Sequence, residues 1–263
     1  MDINVLISNP DYFSELLPME QVAGIYVEQE RTAPDRLRRM VRSAHQNAKK
    51  LYLALPYIWN EESAIALKKE ITSIVGAQAD GYLVRNLDEL GFLSDRGIQG
   101  EIILDAGLYT WNKRAMACLG AAGGTRFTAP YELNRREIDE RGWDRTELVI
   151  YGHYPMMISS GCLRLTTGKC VKDREPYGIY KLRDRTGATF PVVNCCRYCM
   201  NIIYNSVPTW LLDEPGIEDA QSVRLSFTTE SRLEMRSILT RFFDGETAPK
   251  GSVTRGHYKR GAQ

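Results

Sequence analysis

The sequence lacks the usual signatures of a hydrolase. There is no H-E-x-x-H pair to hold a catalytic zinc and no G-x-S-x-G elbow to present a serine, and only three histidines occur in 263 residues. Ser159 and Ser160 stand near His153 in the chain, but no oriented triad follows from that. A net charge of +1 gives no global basic field of the kind that announces a nucleic-acid partner. No apolar run reaches the roughly 18–20 residues that span a bilayer, so no membrane partner is expected. The first residues, MDINVLISNP, hold neither a basic stretch nor an apolar core, which predicts no export signal and a cytoplasmic location. There are no repeats and no low-complexity segments. In a reducing compartment, cysteines serve as metal ligands or buried thiols more often than as disulfides.

What is present is a rhythm. Short apolar runs at Ile3–Ile7, Gly24–Glu28, Leu51–Leu55, Gly81–Val84, Ile102–Asp105, Arg126–Thr128 and Leu148–Tyr151 read as buried parallel strands. Helical patterns lie between them. Leu37, Met40, Val41 and Ala44 follow helical spacing behind Pro34, and Ala64, Leu67, Ile71 and Ile74 do so behind Asn60, a candidate N-cap. A third pattern runs from Trp111 to Leu119. Strand–helix alternation implies right-handed parallel crossovers. An eighth strand at Ser222–Phe227 precedes a helix over Glu230–Phe243, with Leu233, Ile238, Leu239 and Phe242 on its apolar side. The fold class is therefore α/β, a (β/α)8 TIM-barrel-like domain over residues 1–244. Residues 152–215 break the rhythm as an insertion between strands seven and eight, with a hairpin at Ile179–Leu182 and Thr189–Val193. The polar tail, residues 245–263, reads as a loosely held basic arm.

Five of the six cysteines fall within 38 residues, inside that insertion. Cys162, Cys170, Cys196 and Cys199 form C-x7-C-x25-C-x2-C, whose closing clip offers two thiolates from one turn. Four thiolates select zinc or an iron–sulfur cluster, and spacing leaves both open beside a set of buried thiols or a disulfide. Cys195 is the spare, and Cys118, in a helical pattern, reads as a core thiol.

Barrel enzymes keep their chemistry just past the C-terminal ends of the strands. The polar residues there are Arg85 and Asn86 after strand four, Asp105, Trp111 and Asn112 after strand five, Glu132 and Asn134 after strand six, and His153 after strand seven. His153, Glu132 and Asn134 are the catalytic candidates. Arg85, Asn86, Asp105, Asn112 and Arg185 are the candidate substrate contacts, and each could instead be a cap or turn residue. Arg183, Asp184 and Arg185 fall on the hairpin turn, where two guanidinium groups could meet phosphate or carboxylate or stay solvated. Arg255, His257, Lys259 and Arg260 make a small basic tail that could touch RNA or be a solvated end.

The stretches ELVIYGHYPMMISSGCLRLTTGKC and YKLRDRTGATFPVVNCCRYCMNIIYNSVPTWLL resemble peptidase family U32, the collagenase-like peptidases. GYLVRNLDEL, RFTAPYELNRREI and TRGHYKRG are similar to its fourth and sixth strands and its module end. The resemblance implies a barrel of the (β/α)8 kind and a [4Fe-4S] cluster on Cys162, Cys170, Cys196 and Cys199, with zinc as the alternative. It implies a part in oxygen-independent hydroxylation of RNA bases or the ubiquinone ring, beside the peptidase activity of the family's name. The chain looks like the C-terminal module of longer bacterial members, so a preceding U32 module and RNA are the expected partners. The cysteine spacing differs from that of the N-terminal module.

Overall fold

In a computed structural model, residues 1–170, 178–248 and 253–261 are described; residues 171–177 of the insertion and 249–252 and 262–263 of the tail lie outside them. Eight parallel strands close on themselves: β1 (Asp2–Ile7), β2 (Val22–Glu28), β3 (Lys50–Ala54), β4 (Gly81–Val84), β5 (Glu101–Leu104), β6 (Arg126–Thr128), β7 (Thr146–Gly152) and a last strand, Ser222–Phe227, that returns to β1. The expected α/β barrel is the observed one.

Capping sets the helix starts. Asn60 and Ser63 form a reciprocal capping box ahead of Glu61–Val75, and Ser231 with Glu234 does the same ahead of Arg232–Phe243. That last helix packs Leu239, Ile238 and Phe242 on the core as expected, but not Leu233. It buries Met235 and Leu239, one turn apart, and Leu233, two residues before Met235 and so nearly opposite it, is 77% exposed. Cys118 is likewise exposed rather than in the core, because its helix, Lys113–Ala121, buries only Met116.

The insertion is larger than a hairpin. β8 (Pro155–Ser159), β9 (Ile179–Arg183), β10 (Thr189–Cys195) and β11 (Met200–Tyr204) make an antiparallel sheet in the order β8-β11-β10-β9. A two-residue β12 (Thr209–Trp210) then pairs with β7 before the eighth barrel strand, now β13 (Ser222–Phe227). The period-two pattern of the sheet gives it two faces. Val193, Cys195, Met200, Ile202 and Tyr204 pack toward the barrel, on Tyr57, Ile58 and Ala66. Asn194, Asn201 and Ser159 are paired across β10, β11 and β8 on the other face. Gly152 ends β7 where the chain leaves for this sheet. Its φ of 143° suits glycine, and a Cβ there would meet the Ser226 carbonyl at 2.6 Å.

The tail differs from the expected loose arm. Tyr258 is buried, its carbonyl accepts from Arg135 N at 2.8 Å, and the Thr254 carbonyl accepts from Trp210 N at 2.8 Å. Arg255 pairs with Asp213 and Glu214, and Lys259 with Glu214 at 3.0 Å, so opposite charges draw residues 253–261 onto the barrel. Among the described residues no helix is long and apolar enough to cross a membrane.

Candidate active site at the barrel mouth and the cysteine sheet above it

Small barrels are usually filled with branched apolar side chains. This one carries Leu6, Ala54, Leu83 and Ile103 inside, but along its axis runs a chain of alternating charge. At the N-terminal end, Arg126 pairs with Glu101, whose Oε2 accepts from Tyr52 at 2.8 Å. Arg126 also lies 3.7 Å from Glu147. Glu147, 0% exposed, accepts from Asn4 at 2.9 Å and Tyr26 at 2.8 Å. Arg224 Nη1 lies 3.1 Å from Glu147 Oε2 at an angle outside hydrogen-bond geometry, so that pairing is Coulombic. Arg224 Nη2 donates to Asp105 at 2.6 Å. Arg85 then donates to Asp105 at 3.2 Å and, through both terminal nitrogens, to Glu28 at 2.7 and 3.0 Å.

The chain ends at the C-terminal mouth. Burial alone would raise the Asp105 carboxyl, but Arg224 and Arg85 outweigh it and hold it below the usual range. Burial likewise opposes the charge on Arg85, and Glu28, Tyr57 and Asp105 overcome that. The Arg85 guanidinium stacks 3.8 Å from the Tyr57 ring centroid. Above this floor is a cavity of about 290 Å³, walled by Tyr57, Tyr109, Tyr131 and Glu132 and roofed by Pro155 and Ile158 of β8. A larger hollow of about 670 Å³ lies on the flank, along Ile71, Val75, Arg96 and Gln99 near the N-terminal ends of β4 and β5. It is at the wrong end of a barrel for chemistry and gathers no reactive set.

The structure thus brings Arg85, Asp105 and Glu132 together at the mouth. It uses the other candidates as supports. Asn86, Asn112 and Asn134 are N-caps, accepting from Glu89 N, Ala115 N and Glu137 N at 2.9, 3.0 and 2.9 Å. His153 Nδ1 lies 2.8 Å from the Asn205 carbonyl and fastens the crossing from β7 to β8. It does not line the mouth cavity, and Ser159 Oγ is occupied with Gly161 N at 3.0 Å. Arg185 is exposed on the turn that Asp184 organises by accepting from Thr186 N and Ala188 N.

Cys162, Cys196 and Cys199 lie on turns at one end of the small sheet. Cys162 is buried and opens the short helix Leu163–Thr166, and Cys170 follows that helix. Cys196 and Cys199 stand on the turn between β10 and β11. Cys199 holds φ at +50°, a left-handed conformation that disfavours a side chain. Arg164 Nη1 donates to Cys196 Sγ at 3.3 Å. No cysteine forms a disulfide. The spare, Cys195, points the other way and donates to Glu30 Oε1 at 2.9 Å, and burial first, then Glu30, push its thiol up.

The sequence profile of peptidase family U32 matches residues 27–172, more than half of the chain. The chain belongs to peptidase family U32. Among solved structures it is similar to the U32 peptidase Mk0906, at 10% identity and a TM-score of 0.55, with 88% of this chain and 94% of that one covered. It is also matched by the 3-dehydroquinate dehydratase of Aquifex aeolicus VF5, at 15% identity, 57% and 79% coverage and a TM-score of 0.40. At such identities the likeness to Mk0906 speaks for the fold alone. No curated protein sequence matches the chain.

A U32 barrel with four thiols raises the question of whether they suit a metal group. Among the described residues no three His, Cys, Asp or Glu side chains are gathered as a metal site. The surroundings nonetheless fit in kind: soft donors at one end of one sheet, an arginine beside Cys196, a strained Cys199, and the buried amide of Asn194 with no partner for either polar atom among the described residues. Asn194, Tyr57, Tyr131 and the axial charges other than Arg85 and Asp105 were not foreseen from the sequence. The one signal for the charges was their placement: Arg224 interrupts an apolar strand run, and Glu28, Glu101, Arg126 and Glu147 stand at the ends of theirs.

Proposed function

We propose that this U32 chain holds a [4Fe-4S] cluster on Cys162, Cys170, Cys196 and Cys199 and handles a planar, polar substrate at the barrel mouth. The reaction class is an oxygen-independent hydroxylation of an RNA base or a related small ring. The observation that carries this reading is one of connection. β8 roofs the mouth cavity with Pro155 and Ile158 and reaches Cys162 four residues later. A group bound to the thiols therefore stands on the same short segment that covers the substrate. Bound there, a cluster supplies one-electron chemistry. To load it, the Cys162 turn and the Cys196–Cys199 turn must draw together.

The chain's own residues divide the remaining work. Tyr57 and Tyr131 offer ring faces for stacking. Asp105, kept ionised by two arginines, accepts hydrogen bonds from substrate N–H or O–H groups and is a poor base. Glu132 lines the cavity with no arginine or lysine in ion-pair reach among the described residues, which suits it to carry a proton. Pro155 and Ile158 exclude water from above.

The test is anaerobic purification with iron and sulfide analysis and a visible spectrum, on the wild type and on Cys196→Ser. Broad absorbance near ~400 nm with roughly four irons per chain, lost in the variant, supports the reading. A colourless protein that holds one zinc, or none, overturns it.

A further inference from the structure

Two asparagines face each other across β10 and β11, and they are in opposite conditions. Asn201 is 1% exposed and satisfied: its Oδ1 accepts from Leu163 N at 3.5 Å and its Nδ2 donates to the Gly161 carbonyl, so it grips the turn on both sides of Cys162. Asn194, its cross-strand partner, is also 1% exposed, yet among the described residues neither its Nδ2 nor its Oδ1 has a hydrogen-bond partner. Folded chains rarely leave a buried amide in that state, since it gives up water and gains nothing.

The direction of the Asn194 side chain follows from its neighbours. Cys195, the next residue, points to the barrel and bonds Glu30. By strand alternation Asn194 points to the opposite face, the one on which Asn201 grips the Cys162 turn. Cys196 lies two residues after Asn194, and Cys199 two residues before Asn201. The orphaned amide thus stands two residues from the Cys196–Cys199 turn and one strand over from the asparagine that grips the Cys162 turn, on the same face.

We propose that the Asn194 carboxamide is a positioning residue for the thiolate-bound group, donating from Nδ2 to one of its sulfurs. The proposal rests on the thiolate-site reading above and adds to it a ligand-directed donor outside the cysteine set. Anionic sulfur is a weak acceptor in water, but in a dry site an N–H aimed at it offsets charge that would otherwise be unscreened. The same amide has no such use in the metal-free chain.

This makes a prediction that an ordinary structural asparagine would not. Asn194→Leu, of similar volume, removes the orphaned amide. The metal-free variant should melt higher than the metal-free wild type, while the reconstituted variant loses iron to a chelator roughly 10-fold faster and shows a more negative midpoint potential. Asn194→Asp, which places an anion against sulfur, should lose iron faster still. If metal-free Asn194→Leu melts lower, the asparagine serves the fold and the proposal falls. If wild type and both variants hold iron equally and at one potential, the donor role falls while the cluster reading stands. If the wild type itself takes up no iron and sulfide, the cluster reading fails first and takes this proposal with it.

Discussion

The molecule buries polar groups in two places, and it treats them differently. Inside the barrel, seven charged side chains from Glu101 to Glu28 alternate in sign, and each faces at least one opposite charge. On the outer face of the small sheet, the Asn194 side chain has no hydrogen-bond partner among the described residues and Cys199 is held in a left-handed conformation. The barrel interior is buried; on the outer face of the sheet Asn194 is buried while Cys199 is exposed. In the first, opposite charges offset one another even where Arg126 Nε, Glu147 Oε2 and Arg224 Nε and Nη1 make no hydrogen bond among the described residues, and such networks add little net stability. In the second, the buried Asn194 amide has neither a hydrogen bond nor an opposite charge among the described residues, and such a group calls for an explanation. Buried polarity alone therefore does not mark a site in this chain; Asn194 differs in that both polar atoms of a neutral amide lack a hydrogen-bond partner among the described residues, with no ion pair to offset the loss.

The most severe way to break this comparison is to strip a buried group of its partner in the barrel as well. Arg224→Met would leave Glu147 and Asp105 facing each other's charge with one cation fewer. Removing one partner from a buried set typically costs about 3–5 kcal/mol. Urea unfolding of the variant should show a loss of that order, and Arg224→Met with Glu147→Gln should recover part of it, because the second change removes the stranded charge. A single variant as stable as the wild type would mean that the barrel interior admits water and is not the closed network described.

The two regions also differed in how far they could be read from sequence. The strand runs declared themselves because parallel strands buried on both faces are continuous in Val, Ile and Leu. Arg126 opened one run and Glu147 fell just outside another; their pairing depends on β6 lying beside β7, which no local pattern encodes. Arg85 and Asp105 were legible because the fold class itself says where strand ends point. Asn86, Asn112 and Asn134 were legible as positions but ambiguous as roles, since a residue at a strand end is often also a residue at a helix start. The cysteines announced themselves by spacing. Asn194 did not, because an asparagine in a strand carries no signal until its neighbours are placed and its bonds are counted.

Glu89 sharpens the comparison at the mouth. It is fully buried, its Oε2 accepts from Arg85 N at 3.0 Å, and its Oε1 has no partner among the described residues. Here protonation takes the place of a partner. Burial pushes its carboxyl up to about 8, against the hydrogen bond from Arg85 N that favours the anion. A carboxyl raised on folding contributes stability that is complete below its unfolded value near 4.5 and is lost as pH rises through about 8. Glu89→Gln has no such dependence. Relative to the variant, the wild type should lose on the order of 2–3 kcal/mol between pH 5 and pH 8, less than the full shift implies once the site relaxes. Parallel stability curves for the two proteins over that range would show that Glu89 ionises normally.

The smallest effect has the most telling sign. Cys199 sits at φ +50°, where glycine is at ease and a side chain is not. In the metal-free chain, Cys199→Gly should therefore raise stability, by about 1 kcal/mol, since relief of left-handed strain outweighs the added freedom of the unfolded chain. The same change should lower iron uptake, because one of the four thiols is gone. The barrel offers a control at Arg145, also at φ +50° but far from the cysteines, where Arg145→Gly should relieve strain with no effect on iron. If Cys199→Gly destabilises the metal-free protein, the turn is shaped by the thiol's own contacts rather than held ready for a ligand. The contrast between the two regions would then rest on Asn194 alone.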